Sequence, residues 1–130
     1  MINFQIAQSR SDVTVLPFTH SWGQSSIIAK IPGKSASTPV TIVGAHMDSI
    51  NLNSPIDGRA PGADDDGTGC VNLIEGFRAL LAAGFEPRTP VEFHWYSAEE
   101  AGLLGSQAIA TSYKNAGVQV RAFMELDMSG

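Results

Sequence analysis

"VTIVGAHMD", residues 40–48, decides the fold. It opens as a β-branched, nearly continuous apolar run. That is the composition of a strand buried on both faces, which belongs in a parallel sheet covered by helices. Two comparable runs follow, "PVEFHWYSA" at 90–98 and "VQVRAFMELDM" at 118–128. Between the first and second, Val71, Ile74, Phe77, Leu80 and Leu81 recur at helical spacing. They predict a helix from Thr68 to Ala83, with Gly84 as its stop. A shorter helix is predicted from Ser106 to Ala116, ended by Gly117. Strand, helix, strand, helix, strand predicts an α/β fold, a mixed sheet with parallel central strands flanked by helices. Upstream, "DVTVLPF" (12–18) and "SSIIAKI" (25–31) read as a hairpin or meander near an edge, where Pro17 is tolerated. Residues 32–39 read as a loop. Residues 49–66, rich in Asn, Pro, Gly and Asp, form a second loop long enough to suggest a function.

Composition narrows the class. A chain of 130 residues with 43% hydrophobic and 16% charged residues is an ordinary globular domain with room for a core. No apolar run is long enough to span a membrane. The N-terminal residues show no basic stretch followed by an apolar one, so no signal peptide is visible. The single cysteine, Cys70, excludes an intrachain disulfide framework. A net charge of −5 argues against a nucleic-acid partner. The distribution of that charge says more. Asp48, Asp64, Asp65, Asp66, Glu99, Glu100 and Asp127 lie in short motifs, and the six remaining acids face eight basic residues. Acidity concentrated in this way points to a bound cation.

The motifs fall in one place on the predicted map. His46 and Asp48 end the first central strand, Glu99 and Glu100 the second, and Asp127 the third. Ligands of open α/β sheets bind outside the carboxyl ends of the strands. The "ADDD" loop at 63–66, leading into a helix, joins them there.

Chemistry follows from residue type. His46 and Asp48 share one side of an extended strand, so Asp48 can accept the imidazole N–H while the other ring nitrogen binds a metal. Glu99 and Glu100, being adjacent, belong at a strand-to-loop turn. There, one can bind metal and the other serve as general base toward a substrate water. The EF-hand spacing is absent. One imidazole with several carboxylates suits zinc better than calcium. Several carboxylates can hold two divalent ions, one of them bridging, and the three aspartates are expected to face that dinuclear centre.

"GAHMDS", "PGADDDGTG", "SAEEAGLLGS" and "ELDM", in this order and at these separations, closely resemble the M28 family of zinc aminopeptidases. The likeness is to the secreted bacterial and fungal leucyl aminopeptidases and covers roughly residues 40 to 130. It implies a zinc-exopeptidase fold and two zinc ions. His46 and Asp127 would bind one zinc, Asp65 would bridge both, and Glu100 would bind the other. Asp48 and Asp66 would support these ligands, with a cis peptide bond between Asp65 and Asp66. Glu99 would be the general base for a zinc-activated water that removes N-terminal residues from peptides. The implied setting is extracellular.

The resemblance also implies a longer protein. Family members are expected to be about twice this length, with a last histidine ligand beyond Gly130. His94 reads as a packed strand residue, and His20 has no ligand-like setting. The chain therefore looks like the N-terminal half of a truncated domain. Residues 1–35 would be edge strands and 40–130 the metal-site core. Its partners would be peptide or protein N-termini, with a homo-oligomer or a complementing chain covering the open face. The alternative function is a catalytically weak or inactive metal-binding half-domain acting as an interaction protein. Glutaminyl cyclase-like acyl transfer is a third reading, disfavoured by the paired glutamates.

Overall fold

A computed structural model describes residue 7, residues 10–35 and residues 39–130. The start of the N-terminal segment and part of the 32–39 loop lie outside the described residues. The elements are β1 (Thr14–Phe18), β2 (Ser26–Ile31), β3 (Val40–His46), α1 (Gly67–Ala82), β4 (Val91–Tyr96), α2 (Leu104–Asn115) and β5 (Val120–Glu125). They build one five-stranded sheet in the order β1-β2-β4-β3-β5. β3 pairs in parallel with β4 on one side and β5 on the other. β1 and β2 form an antiparallel hairpin, and β2 joins the sheet antiparallel to β4. β1, with Pro17, is therefore an edge strand, while β2 lies inside the sheet.

Alternation along β4 sorts the two faces. Phe93 and Trp95 point toward α1 and join Leu73, Phe77 and Leu81 in the core, with the Phe77 and Phe93 rings 5.1 Å apart. Burying each such side chain is worth roughly 1.5–3 kcal/mol. Glu92, His94 and Tyr96 point the other way, where the His94 ring meets Tyr113 of α2 edge-on at 5.9 Å. The helices thus cover opposite faces, as two crossovers around a central strand require.

The α2 face is unusually polar. His94 is fully buried, yet Nε2 meets Glu92 Oε2 at 3.1 Å and Nδ1 meets the Tyr96 hydroxyl at 3.0 Å. Tyr113 donates to the same Glu92 oxygen at 2.6 Å, and Lys30 pairs with Oε1 at 3.1 Å. Burial disfavours the Glu92 charge. Hydrogen bonds from His94, Tyr113 and Lys30 outweigh it and hold the carboxyl down at about 2. His94 is therefore a packed strand residue, as its position suggests.

Both helices stop where glycine allows a positive φ, +65° at Gly84 and +69° at Gly117. α1 begins one residue before the predicted start because Asp66 caps it, its Oδ1 accepting the Gly69 N–H at 3.1 Å. β5 is the other edge of the sheet. Its Val120, Phe123 and Met124 are exposed, and a groove of about 550 Å³ runs between α2 and the β3–β5 face.

Candidate metal centre

Parallel pairing aligns the carboxyl ends of β3, β4 and β5. His46 sits opposite Tyr96, and Gly44 opposite Glu125. The chain leaving each strand enters the same crevice, so the three predicted motifs meet there.

His46 is 1% exposed. Its Nδ1 lies 3.0 Å from the main-chain carbonyl of Asp48. A carbonyl only accepts, so Nδ1 carries a proton, and in the neutral ring Nε2 keeps its lone pair. Nε2 is 3.0 Å from Asp65 Oδ1 and 3.9 Å from Glu99 Oε2. Neither approach has hydrogen-bond geometry. Among the described residues, Nε2 is the buried side-chain polar atom left without a hydrogen-bond partner. A lone pair and a carboxylate oxygen at that separation repel unless a cation lies between them. A ring proton would have to point at Asp65 to serve, and it does not.

His46, Asp65 and Asp127 each offer one atom within 4.8 Å of the others, the group of three metal-capable side chains found among the described residues. Ligands about 2.0–2.2 Å from a common zinc lie within such a spread. The donor set, one nitrogen and two carboxylates, fits zinc. Glu100 falls outside this group.

The expected Asp48 contact is corrected in detail. Its carboxylate does not take the imidazole N–H, the nearer oxygen standing 3.8 Å from Nδ1. Instead Oδ1 accepts the Glu99 N–H at 2.9 Å and Oδ2 the Glu100 N–H at 3.0 Å. Two successive amides at a turn match the two oxygens of one carboxylate, which leaves the carbonyl of the same residue for His46. That turn follows β4, with Ala98 at a φ of +56° and the Glu99 carbonyl accepting from Gly102 and Leu103 at 2.8 and 2.7 Å.

The three aspartates divide their work, which corrects the expectation that all of them face the metal. Asp64 faces the Thr68 hydroxyl, 2.9 Å away. Of the three, Asp65 is the one that faces the His46 ring. Asp66, 2% exposed, turns inward. Its Oδ2 accepts the His46 N–H at 3.0 Å, and Oδ1 accepts from Gly69 and from Met128 at 3.1 and 3.2 Å. One carboxylate so ties the end of β3, the start of α1 and the loop after β5. The peptide bond between Asp65 and Asp66 is cis. Gly69 has no room for a Cβ, which would collide with Asp66 and the Leu126 carbonyl.

The electrostatics point the same way. Burial works against a charged His46, but Glu99, Asp66 and Asp48 together raise its pKa. Burial raises Glu99, helped by Glu100, Asp127 and Asp48 and opposed by His46. Burial also raises Asp66 against its hydrogen bonds. Glu125, absent from the predicted site, belongs to this field. The residue is exposed on the edge strand, but its carboxylate lies against Gly44 and Tyr96, and that burial, then Asp66, lifts it to about 7. Its place two residues before Asp127 was the available signal. His20, Ser26 and Ser97, linked by hydrogen bonds just before the Glu99 turn, had no such signal beyond the position of Ser97.

The model of the family described as "Peptidase family M28" matches residues 26–130. A "Leucine aminopeptidase 1" of Phaeosphaeria nodorum is 52% identical over 136 aligned positions, covering 97% of this chain and 34% of that protein. The structure titled as Legionella pneumophila LapA aminopeptidase superposes with a TM-score of 0.84 at 33% identity, covering 99% of this chain and 34% of that one. The Bacillus subtilis protein titled a zinc aminopeptidase gives a TM-score of 0.56 at 31% identity, covering 67% of this chain and 20% of that one. The chain spans about a third of the length of the relatives it matches, less than the half expected from the resemblance. With the matched model running through every strand end of the crevice, the chain belongs to peptidase family M28.

Proposed function

We propose that this chain carries the metal site and general base of a zinc aminopeptidase acting on peptide N-termini. The observation that carries the reading is the unpartnered Nε2 of His46, which faces Asp65 and Asp127 with Glu99 Oε2 3.9 Å away. The names of the relatives, leucine aminopeptidase among them, support the reaction class.

His46, Asp65 and Asp127 would hold one zinc, and Asp65 with Glu100 a second. Bound there, zinc would supply Lewis acidity toward a peptide carbonyl and lower the pKa of water. The chain's own residues do the rest. Asp48 fixes the turn so that the Glu99 side chain faces the ligand group. Glu99, whose Oε2 stands 3.9 Å from His46 Nε2 without joining the ligand group, is the carboxylate placed to act as general base. Glu99 takes a proton from the attacking water and returns it to the leaving amine. The carboxylates around the crevice attract the substrate's free α-ammonium, which favours cleavage at an N-terminus over internal cleavage. The resemblance carries an extracellular setting with it.

Release of p-nitroaniline from leucyl-p-nitroanilide tests the proposal. Turnover that appears with zinc and disappears with a chelator supports it. No turnover at high protein concentration with zinc present contradicts it.

A further inference from the structure

Among the described residues, a buried polar chain runs from the β1–β2 connection to the residue two before Glu99. His20 lies between β1 and β2 and is 8% exposed. Its Nε2 is 2.8 Å from the hydroxyl of Ser26, which is fully buried at the start of β2. The Ser26 hydroxyl accepts the main-chain N–H of Ser97 at 3.1 Å. Ser97, also fully buried, is the first residue after β4 and stands two before Glu99. Its own hydroxyl donates to the Gln24 carbonyl at 3.1 Å and accepts the Trp22 indole N–H at 3.2 Å. The Trp22 ring stacks on His20, centroids 4.2 Å apart and planes within 9°. The hairpin connection therefore grips Ser97 through both its main chain and its side chain.

The grip has a counterpart. Asp48 holds the amides of Glu99 and Glu100 from the crevice side. Ser97 is held from the hairpin side, and the intervening Ala98 adopts a φ of +56°. A short polar turn anchored at both ends keeps its two carboxylates in one place. A turn anchored at one end does not. Packing closes the gap, since Gly105 at the start of α2 has no room for a Cβ against the Ser97 carbonyl and Ser26.

We propose that His20, acting through Ser26 and Ser97, is a positioning residue for the Glu99–Glu100 turn. The inference rests on the proposed role of Glu99 for its importance, though not for its geometry. The contacts of His20 are with Phe18, Trp22 and Ser26, and not with the candidate metal ligands. It orients the Ser26 hydroxyl toward the Ser97 amide, and Trp22 keeps its ring in place.

Amide hydrogen exchange of the full chain tests this independently of activity. In His20→Phe, which keeps the ring stack but loses Nε2, the Gly102 and Leu103 amides bonded to the Glu99 carbonyl should exchange about 10-fold faster or more. The α1 amides around Phe77 should stay at their wild-type rates. Ser26→Ala should reproduce the pattern, and His20→Gln, whose amide can either donate to or accept from the Ser26 hydroxyl, should recover most of the protection. If wild-type protein turns over leucyl-p-nitroanilide, kcat in His20→Phe should fall with KM little changed. Unchanged exchange at Gly102 and Leu103 would overturn the proposal, as would an equal rise across α1, which would mean general destabilisation. Inactivity of the wild type would count against the aminopeptidase reading and leave the exchange result decisive for His20.

Discussion

The buried carboxylate of Asp66 accepts the main-chain N–H of His46 at 3.0 Å, so the residue that caps α1 also fixes the end of the strand bearing the imidazole. Helix start and candidate ligand are thereby built from one side chain. Asp66→Ala removes a cap and leaves the amides of His46, Gly69 and Met128 without their acceptor. Loss of the cap costs about 1 kcal/mol, and a buried unpaired amide roughly 1–3 kcal/mol. Urea unfolding should show a loss on the order of 2–4 kcal/mol, and a smaller one in Asp66→Asn. A loss under about 0.5 kcal/mol in the alanine variant would mean that water or neighbours replace the carboxylate.

Glu99 should matter to turnover and not to metal. Its Oε2 stands 3.9 Å from His46 Nε2, and its main chain is held by Asp48 regardless of the side chain. Glu99→Gln should lower kcat by about 10²–10⁴-fold, the usual contribution of a general base, with zinc content unchanged. Turnover near the wild-type value would assign the base to another group.

Glu92 predicts the acid limb of stability. Its carboxyl is held at about 2 in the folded protein against an ordinary value of 4.5. A depressed carboxyl contributes stability in full above its unfolded pKa and loses it as pH falls toward the folded one. The contribution, on the order of 3 kcal/mol, is thus present above about pH 4.5 and vanishes toward about pH 2. Chemical denaturation across that window should show a shallower pH slope in Glu92→Gln than in the wild type. Parallel slopes would contradict the pairing of Glu92 with His94, Tyr113 and Lys30.

The sheet and its helices were legible because they carry long periodic signals. β3, β4 and β5, α1 and α2 all lie within a few residues of their predicted limits. The meeting of His46 and Asp127 was legible in part, since strand-end motifs in a parallel sheet converge whatever their side chains do, but Asp65 joins them from the loop before α1 and Glu100 stays outside the group. What the sequence concealed was the allocation of hydrogen bonds. Asp48 spends its carboxylate on amides 51 and 52 positions away, and Ser26 reaches Ser97 across 71. Such contacts between short polar groups have no period and follow only from how the strands pair. Asp64, Asp65 and Asp66 look equivalent in sequence. They diverge because a helix start needs one cap, and a cap turned inward cannot also face the crevice.

Zinc titration by calorimetry is the most direct measurement of the central claim, that His46, Asp65 and Asp127 hold a metal ion. Wild-type protein, freed of metal, should bind at least one zinc tightly. His46→Ala and Asp65→Ala should each weaken that binding by more than the roughly 10–100-fold expected from losing an outer partner of a ligand. His94→Ala, which alters the buried network behind the sheet, should leave it within a few-fold in folded protein. Equal zinc affinity in the wild type, His46→Ala and Asp65→Ala would contradict the account.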